Sequence, residues 1–269
     1  MQAIRARCYG SADILTLETV PKPVPAADEV LVRVKAAAVN PLDYHYMRGS
    51  PYLMRLMSGI GGPKDFRSGV DFAGVVEAIG SDVTKFDVGD AVFGGAAGAF
   101  SEYLTVREAA GVARKPDTVS FAEAASIGIA ASTALQALRD HGELGVGDKV
   151  LINGASGGVG TFAVQIAKSM GATVTGVCST PNVLLVSALG ADAVIDYRQE
   201  DYTTLDERYD VILDMVGNHS PAKNHEKLEQ GGRYVLVGGP KGNWFSPLKR
   251  PLQAMWTSNF VDEKLVTVL

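Results

Sequence analysis

The stretch Asp148-Lys149-Val150-Leu151-Ile152-Asn153-Gly154-Ala155-Ser156-Gly157-Gly158-Val159-Gly160 decides the fold. An apolar strand, Val150 to Ile152, runs into a glycine-rich turn. Beyond the turn Val159, Phe162, Ala163, Ile166, Ala167 and Met170 recur at three- and four-residue spacing, the pattern of a helix with one buried stripe, and the stripe ends at Gly171. A second strand, Thr173 to Val177, follows. Glycines placed between strand and helix have a chemical use. Gly157 and Gly158 let the backbone approach a pyrophosphate, Gly160 permits close helix–strand packing, and the helix N-terminus offers unpaired amides at its positive dipole end. Strand, turn, helix and second strand stand in register, as a dinucleotide-binding turn requires.

Composition narrows the setting. The 269 residues are 46% hydrophobic and include 30 glycines, enough to bury a large core and to build two domains. A net charge of −5 without a basic cluster gives no electrostatic support for a nucleic-acid partner. Cys8 and Cys178 are too few and too far apart for a disulfide framework or a zinc lobe. Arg5 and Arg7 precede no signal-type apolar core, and the small-residue run from Ala124 to Leu138 is broken by Ser and Gln. A soluble, cytoplasmic protein with no membrane partner is expected.

The texture of the chain changes once. Up to about Lys115 it alternates with period two, as in Glu29 to Lys35, with strand-like pieces at Gly74 to Ile79, Ala91 to Phe93 and Phe100 to Val106. Ser120-Phe121-Ala122-Glu123 has the spacing of a capping box and opens a helix predicted to run to about Leu138. Strands and helices then alternate: Thr180 reads as a cap with Pro181 as the first helical residue, and strands are predicted at Ala193 to Asp196, Val211 to Asp214 and Tyr234 to Val237. The fold class is therefore α/β, with a β-rich domain over residues 1–120 and a doubly wound parallel sheet over residues 121–269.

Several motifs occur in order: Val39 to Asp43, Gly69-Val70-Asp71-Phe72-Ala73-Gly74-Val75-Val76, Val88 to Val92, Gly98 to Tyr103, Ala131 to Leu135, and Asn153 to Gly160. With them the chain resembles the medium-chain dehydrogenase/reductase superfamily, in its zinc-free quinone oxidoreductase branch. The resemblance implies a GroES-like first domain, a Rossmann second domain, and hydride transfer from NADPH in the cleft between them. It also implies a tail beyond Lys264 to Leu269 that returns to complete the first domain; that segment is absent here, so the first domain is expected to be incomplete.

In zinc-dependent relatives the positions matching Asn40 and Val70 are a cysteine and a histidine ligand. Amide and valine cannot replace them in a tetrahedral site, so no metal is expected, and Asp71 alone, matching a glutamate near the metal, does not alter that. Without a Lewis acid the favoured acceptors are small, apolar and electron-poor, such as quinones and enones. The cofactor's identity rests on the end of the second strand, where an acidic residue usually holds the ribose of NAD. Cys178-Ser179-Thr180 stands there instead, with no carboxylate to repel a 2′-phosphate, and Tyr197 matches a tyrosine that flanks that phosphate; the expectation is NADPH. Asn182, near where relatives carry a basic residue, is neutral, and Cys178 reads as a small buried residue.

By the same resemblance Ala155, Ser156, Gly157, Gly158 and Val159 line the cofactor turn. Thr133 meets the nicotinamide, and Val237-Gly238-Gly239 hold its carboxamide. Asn40 faces the nicotinamide ribose or the substrate oxygen. His45 falls on the position of a proton-relay histidine, although Leu42 replaces the hydroxyl residue that would start a relay; Tyr44 and Tyr46 are alternatives, either as acids or as aromatic packing. His141, His219 and His225 lie outside any motif and are expected to be solvated. The apolar segment from Arg48 to Arg67 reads either as a substrate lid or as packing between subunits of a homodimer. The rival to an enzyme is an NADPH-binding structural or regulatory protein with little turnover.

Overall fold

The computed structural model describes residues 1–238 and the backbone of a strand at 264–267. The chain divides into two compact units, Met1–Ile129 and a second beginning at Ala130. In the first, β1 (Gln2–Ala6) and β2 (Leu15–Thr19) form an antiparallel hairpin. There follow β3 (Glu29–Ala38), α1 (Pro41–Arg48), α2 (Arg55–Ser58), β4 (Asp71–Ile79), β5 (Ala91–Gly95), β6 (Tyr103–Arg107) and β7 (Val112–Arg114). Strands β3 to β7 make an antiparallel sheet in the order β6-β3-β4-β5-β7. Alternation along β3 turns Val30 and Val32 into a core with Phe72, Val76, Val92, Leu104 and Val106. Register shifts in the β3–β4 ladder between Leu31 and Val32 and between Val34 and Ala36 bend this sheet.

The helix expected from Ser120 to Leu138 is instead three pieces: α3 (Phe121–Ala125), α4 (Gly128–Gln136) and a π-helical turn, Ala137–His141. The capping box forms, with Glu123 N donating to Ser120 Oγ at 3.2 Å and Ser120 N to Glu123 Oε2 at 2.7 Å. The break follows from a buried acceptor outside the helix: Ile129 N donates to the Asp71 carboxylate, not to a carbonyl of the preceding turn.

The second unit continues with β8 (Lys149–Asn153), α5 (Gly158–Ser169), β9 (Thr173–Cys178), α6 (Val183–Ala188), β10 (Ala193–Asp196), β11 (Tyr209–Asp214), α7 (Pro221–His225), β12 (Leu228–Leu236) and β13 (Lys264–Thr267). All six strands pair in parallel, in the order β10-β9-β8-β11-β12-β13. The chain builds outward from β8 through β9 and β10, then crosses to start again at β11. The strand order therefore reverses between β8 and β11, and in such sheets ligands bind beyond the carboxyl ends of the strands at that point. β8 reads as an unbroken apolar run because both its faces are covered. Val150 and Ile152 pack with Ala163, Val164 and Ala167 of α5, while Leu151 packs with Val177, Ile212 and Tyr234. Burial of each such side chain contributes about 1.5–3 kcal/mol.

Thr180–Asn182 is a short 3-10 turn capped by Ser179, and α6 starts only at Val183, so the cap expected at Thr180 lies one residue earlier. Among the described residues no helix is long and apolar enough to cross a membrane.

Candidate functional site

The glycine turn leaves β8 at Asn153. Gly154 N and Ala155 N both donate to Val177 O, at 3.1 and 3.0 Å, which ties the turn to the end of β9. Gly157 caps α5, and the first helical bond is donated by Thr161 N to Gly157 O at 2.9 Å. The amides of Gly158, Val159 and Gly160 precede that bond and have no carbonyl of their own helix to meet, so they offer donors at its positive end. The glycines divide the work. A Cβ on Gly160 would stand 2.2 Å from Gly154 O, so no side chain fits where helix meets turn. A Cβ on Gly158 would meet nothing within 4 Å among the described residues, so that position is not filled by packing. Ala155 is fully buried, Val159 packs against the core, and Gly157 and Gly158 are exposed.

At the end of β9 three polar residues converge on the turn. Asn182 Nδ2 donates to Ser156 Oγ at 3.2 Å and to Ser179 Oγ at 3.1 Å, one proton of the amide for each hydroxyl. Each serine accepts there and keeps its own proton for another partner. Cys178 points into the core with 2% exposure, its thiol pushed up first by burial and then by the Asp196 charge; what it offers at the surface is its carbonyl, which accepts Tyr197 N at 3.0 Å. Tyr197 is exposed. The neighbourhood of Cys178-Ser179-Thr180 does hold a carboxylate, supplied by the next strand: Thr180 Oγ1 donates to Asp196 Oδ2 at 2.6 Å.

At the switch point a buried network fixes the strand ends. Asp214, fully buried, accepts Asn153 Nδ2 at 2.8 Å and the amides of Val216 and Gly217 at 2.9 Å on Oδ1, while Tyr234 Oη donates to Oδ2 at 2.8 Å. The Asp214 carbonyl takes Val237 N at 2.9 Å and Gly238 N at 3.3 Å. The amides of Val237 and Gly238 are therefore engaged within the protein. A Cβ on Gly238 would lie 2.0 Å from Met215 O, which accounts for that glycine by packing. Gly239 lies outside the described residues. Thr133 is half-buried on α4. Sequence reading named Asp214 only as a strand end; the signal available was a polar residue closing each of two adjacent apolar strands, Asn153 and Asp214.

In the first unit Asn40 opens α1, with Pro41 at its first position and Asp43 Oδ2 accepting Asn40 N at 2.7 Å. The Asn40 side chain is buried, and its Nδ2 donates to Asp71 Oδ2 at 3.0 Å. Asp71 is wholly enclosed and also accepts Ile129 N at 3.0 Å. A Cβ on Gly128 would lie 2.4 Å from Asp71 Oδ1, so glycine is required where α4 begins. Burial pushes the carboxyls of Asp71 and Asp43 up, and Asp43 Oδ1 is buried with no hydrogen-bond partner among the described residues.

His45 Nδ1 lies 2.7 Å from Ser50 O. A carbonyl only accepts, so Nδ1 carries the proton and Nε2 is left as the nitrogen that can take one up. Tyr44 lies edge-on to His45, with the Arg48 guanidinium over its ring, and Tyr46 is exposed. His219 departs from expectation: its side chain is 18% exposed, 3.5 Å from Asp201 and edge-on to Tyr202. Leu53, Leu56, Met57 and Ile60 are exposed along the segment that follows α1.

Asn40, Val70 and Asp71 do not form a zinc donor set. The amide is already bonded to the carboxylate, and a thiolate and an imidazole are what such a site needs. Among the described residues no group of three or more His, Cys, Asp or Glu stands close enough together to hold a metal ion.

Comparison with known proteins places both halves. Residues 26–117 match the alcohol dehydrogenase GroES-like domain, and residues 158–255 match the family described as zinc-binding dehydrogenase. The chain is 36% identical over 244 residues to the 2-methylene-furan-3-one reductase of Solanum lycopersicum, covering 86% of this chain and 60% of that one. It is 34% identical over 250 residues to the quinone oxidoreductase of Sus scrofa, covering 88% of this chain and 73% of that one. The solved quinone oxidoreductase of Coxiella burnetii superposes with a TM-score of 0.85 at 30% identity, over 100% of this chain and 82% of that one. With its antiparallel first unit, its parallel second sheet and these relatives, the chain belongs to the medium-chain dehydrogenase/reductase superfamily, in its quinone oxidoreductase-like branch.

Proposed function

We propose that the protein is a metal-independent, NADPH-dependent reductase that delivers hydride to a quinone or to the β-carbon of an activated enone. The observation that carries the reading is the start of α5 at the carboxyl edge of the parallel sheet, where the first amides have no carbonyl of their own helix to meet and a Cβ on Gly158 would touch nothing within 4 Å. When bound, the nicotinamide cofactor supplies the hydride. The amides of Gly158 and Val159 would meet its pyrophosphate, and the Ser156 and Ser179 hydroxyls, held by Asn182, would face the adenosine side. Asn40 presents a fixed amide because Asp71 holds its Nδ2, and His45 Nε2 is a place to hold a proton. Positioning of this kind can be worth about 7–11 kcal/mol of barrier. The acceptor class is drawn from relatives named as quinone oxidoreductase, 2-methylene-furan-3-one reductase and NADPH-dependent alkenal/one oxidoreductase. The exposed Met57, Leu56 and Ile60 suit a small apolar acceptor.

A homodimer in the cytoplasm belongs to the same reading. β13 is an outer strand of the described sheet and presents backbone groups that a second copy can pair, and the exposed free thiol of Cys8 suits a reducing compartment. The test is NADPH consumption with a panel of quinones and enones, run beside nucleotide binding and sedimentation. Turnover with at least one acceptor class supports the reading, and binding without consumption would point to a structural or regulatory role.

A further inference from the structure

The carboxyl end of β10 brings a charge to the edge of the cofactor turn. Asp196 is the Cα partner of Cys178 across the β9–β10 ladder, so it stands beside the segment that would hold the adenosine ribose. Its carboxylate accepts Thr180 Oγ1 at 2.6 Å and Gln199 Nε2 at 2.8 Å on Oδ2, and Arg198 N at 3.0 Å on Oδ1. These donors, the Thr180 hydroxyl first, hold the acid below the usual carboxylate range, so it is ionised at neutral pH. A hydroxyl has one proton. With that proton given to Asp196, Thr180 can accept from a ligand but cannot donate to a phosphate oxygen. A phosphate oxygen brought up to Thr180 Oγ1 would meet no donor there and would also lie within about 5–6 Å of the carboxylate, since both would be close to one atom.

We propose that Asp196 is a specificity-determining residue of the cofactor site: it opposes a 2′-phosphate by its charge and, by engaging the Thr180 hydroxyl, removes a donor from that end. The inference rests on the dinucleotide reading above. Recognition of the 2′ position is left to the Ser179 hydroxyl, which only accepts from Asn182, and to the exposed Tyr197. The neutral turn thus carries a built-in brake on NADPH preference. Two like charges at that separation in a solvated site change affinity by about 3–10-fold at physiological ionic strength.

The test is direct titration of the purified full chain with NADP⁺ and with NAD⁺, for the parent and for Asp196→Asn, at low and high salt, with thermal unfolding alongside. Asp196→Asn should tighten NADP⁺ about 3–10-fold, leave NAD⁺ nearly unchanged, and lose most of the gain at high salt. Asp196→Ser should behave alike. If the parent binds both dinucleotides and Asp196→Asn shifts both equally, or neither, the inference is overturned while the dinucleotide reading stands. If the parent binds neither, that reading fails and the inference falls with it.

Discussion

The Asn40 side chain donates to the buried Asp71 carboxylate at 3.0 Å, and the same carboxylate accepts the Ile129 amide at the start of α4. One enclosed acid thus orients the candidate catalytic amide and restarts the helix that carries Thr133. Asp71→Ala would leave Asn40 Nδ2 and Ile129 N without their acceptor in a buried place, at about 1–3 kcal/mol for each unsatisfied group. Chemical denaturation should show a loss of about 2–6 kcal/mol; a change under 1 kcal/mol would mean that Asp71 is not the anchor.

Asp43 gives a pH-dependent expectation. Burial raises its folded-state pKa above the ordinary 3.8, so above the folded value the fold carries a charged, half-enclosed carboxylate, whereas below 3.8 the acid is protonated folded and unfolded alike. Its contribution to stability is therefore present at low pH and lost as pH rises through that window. Asp43→Asn keeps an oxygen for Asn40 N and puts an amide where Oδ1 has no partner. By removing the half-enclosed charge it should stabilise the protein at pH 7 and lose that advantage as pH falls through the folded-state value toward 3.8. Melting curves of both chains across pH check this; an advantage that is constant with pH would contradict it.

Asn182 links the two serines at the turn. Asn182→Ala should weaken dinucleotide binding about 3–10-fold, the worth of a typical hydrogen bond, with little change in melting temperature. Isothermal titration against the parent is the check, and unchanged affinity would remove Asn182 from the site.

Metal independence predicts that turnover survives prolonged chelation and that elemental analysis finds less than one zinc per chain. Loss of activity restored by zinc alone would contradict it and would direct attention to His45, Asp71 and Cys8.

Much of this was legible in the residues. The run from Val150 to Gly160 announced strand, turn and helix because its apolar spacing and its glycines answer to local rules, and β10 and β11 were likewise marked by short apolar runs. What the residues did not reveal depends on partners distant in sequence. The interruption before α4 is caused by Asp71, 58 positions from Ile129. The carboxylate beside Thr180 arrives from β10, 16 positions on, and the Asn153–Asp214 bond spans 61. His219 was expected in solvent because no motif surrounds it, yet the fold sets it between Asp201 and Tyr202.

The central claim is that the glycine turn at the start of α5 receives the cofactor, and Gly158→Asp tests it most directly. A Cβ there would meet no neighbouring atom of the described residues within 4 Å, so the variant should fold and melt like the parent. The same carboxylate would stand before the α5 amides and repel a pyrophosphate. Fluorescence titration with NADPH should then show binding by the parent and none by the variant. A variant that melts like the parent and binds NADPH equally well would contradict the assignment of the glycine turn.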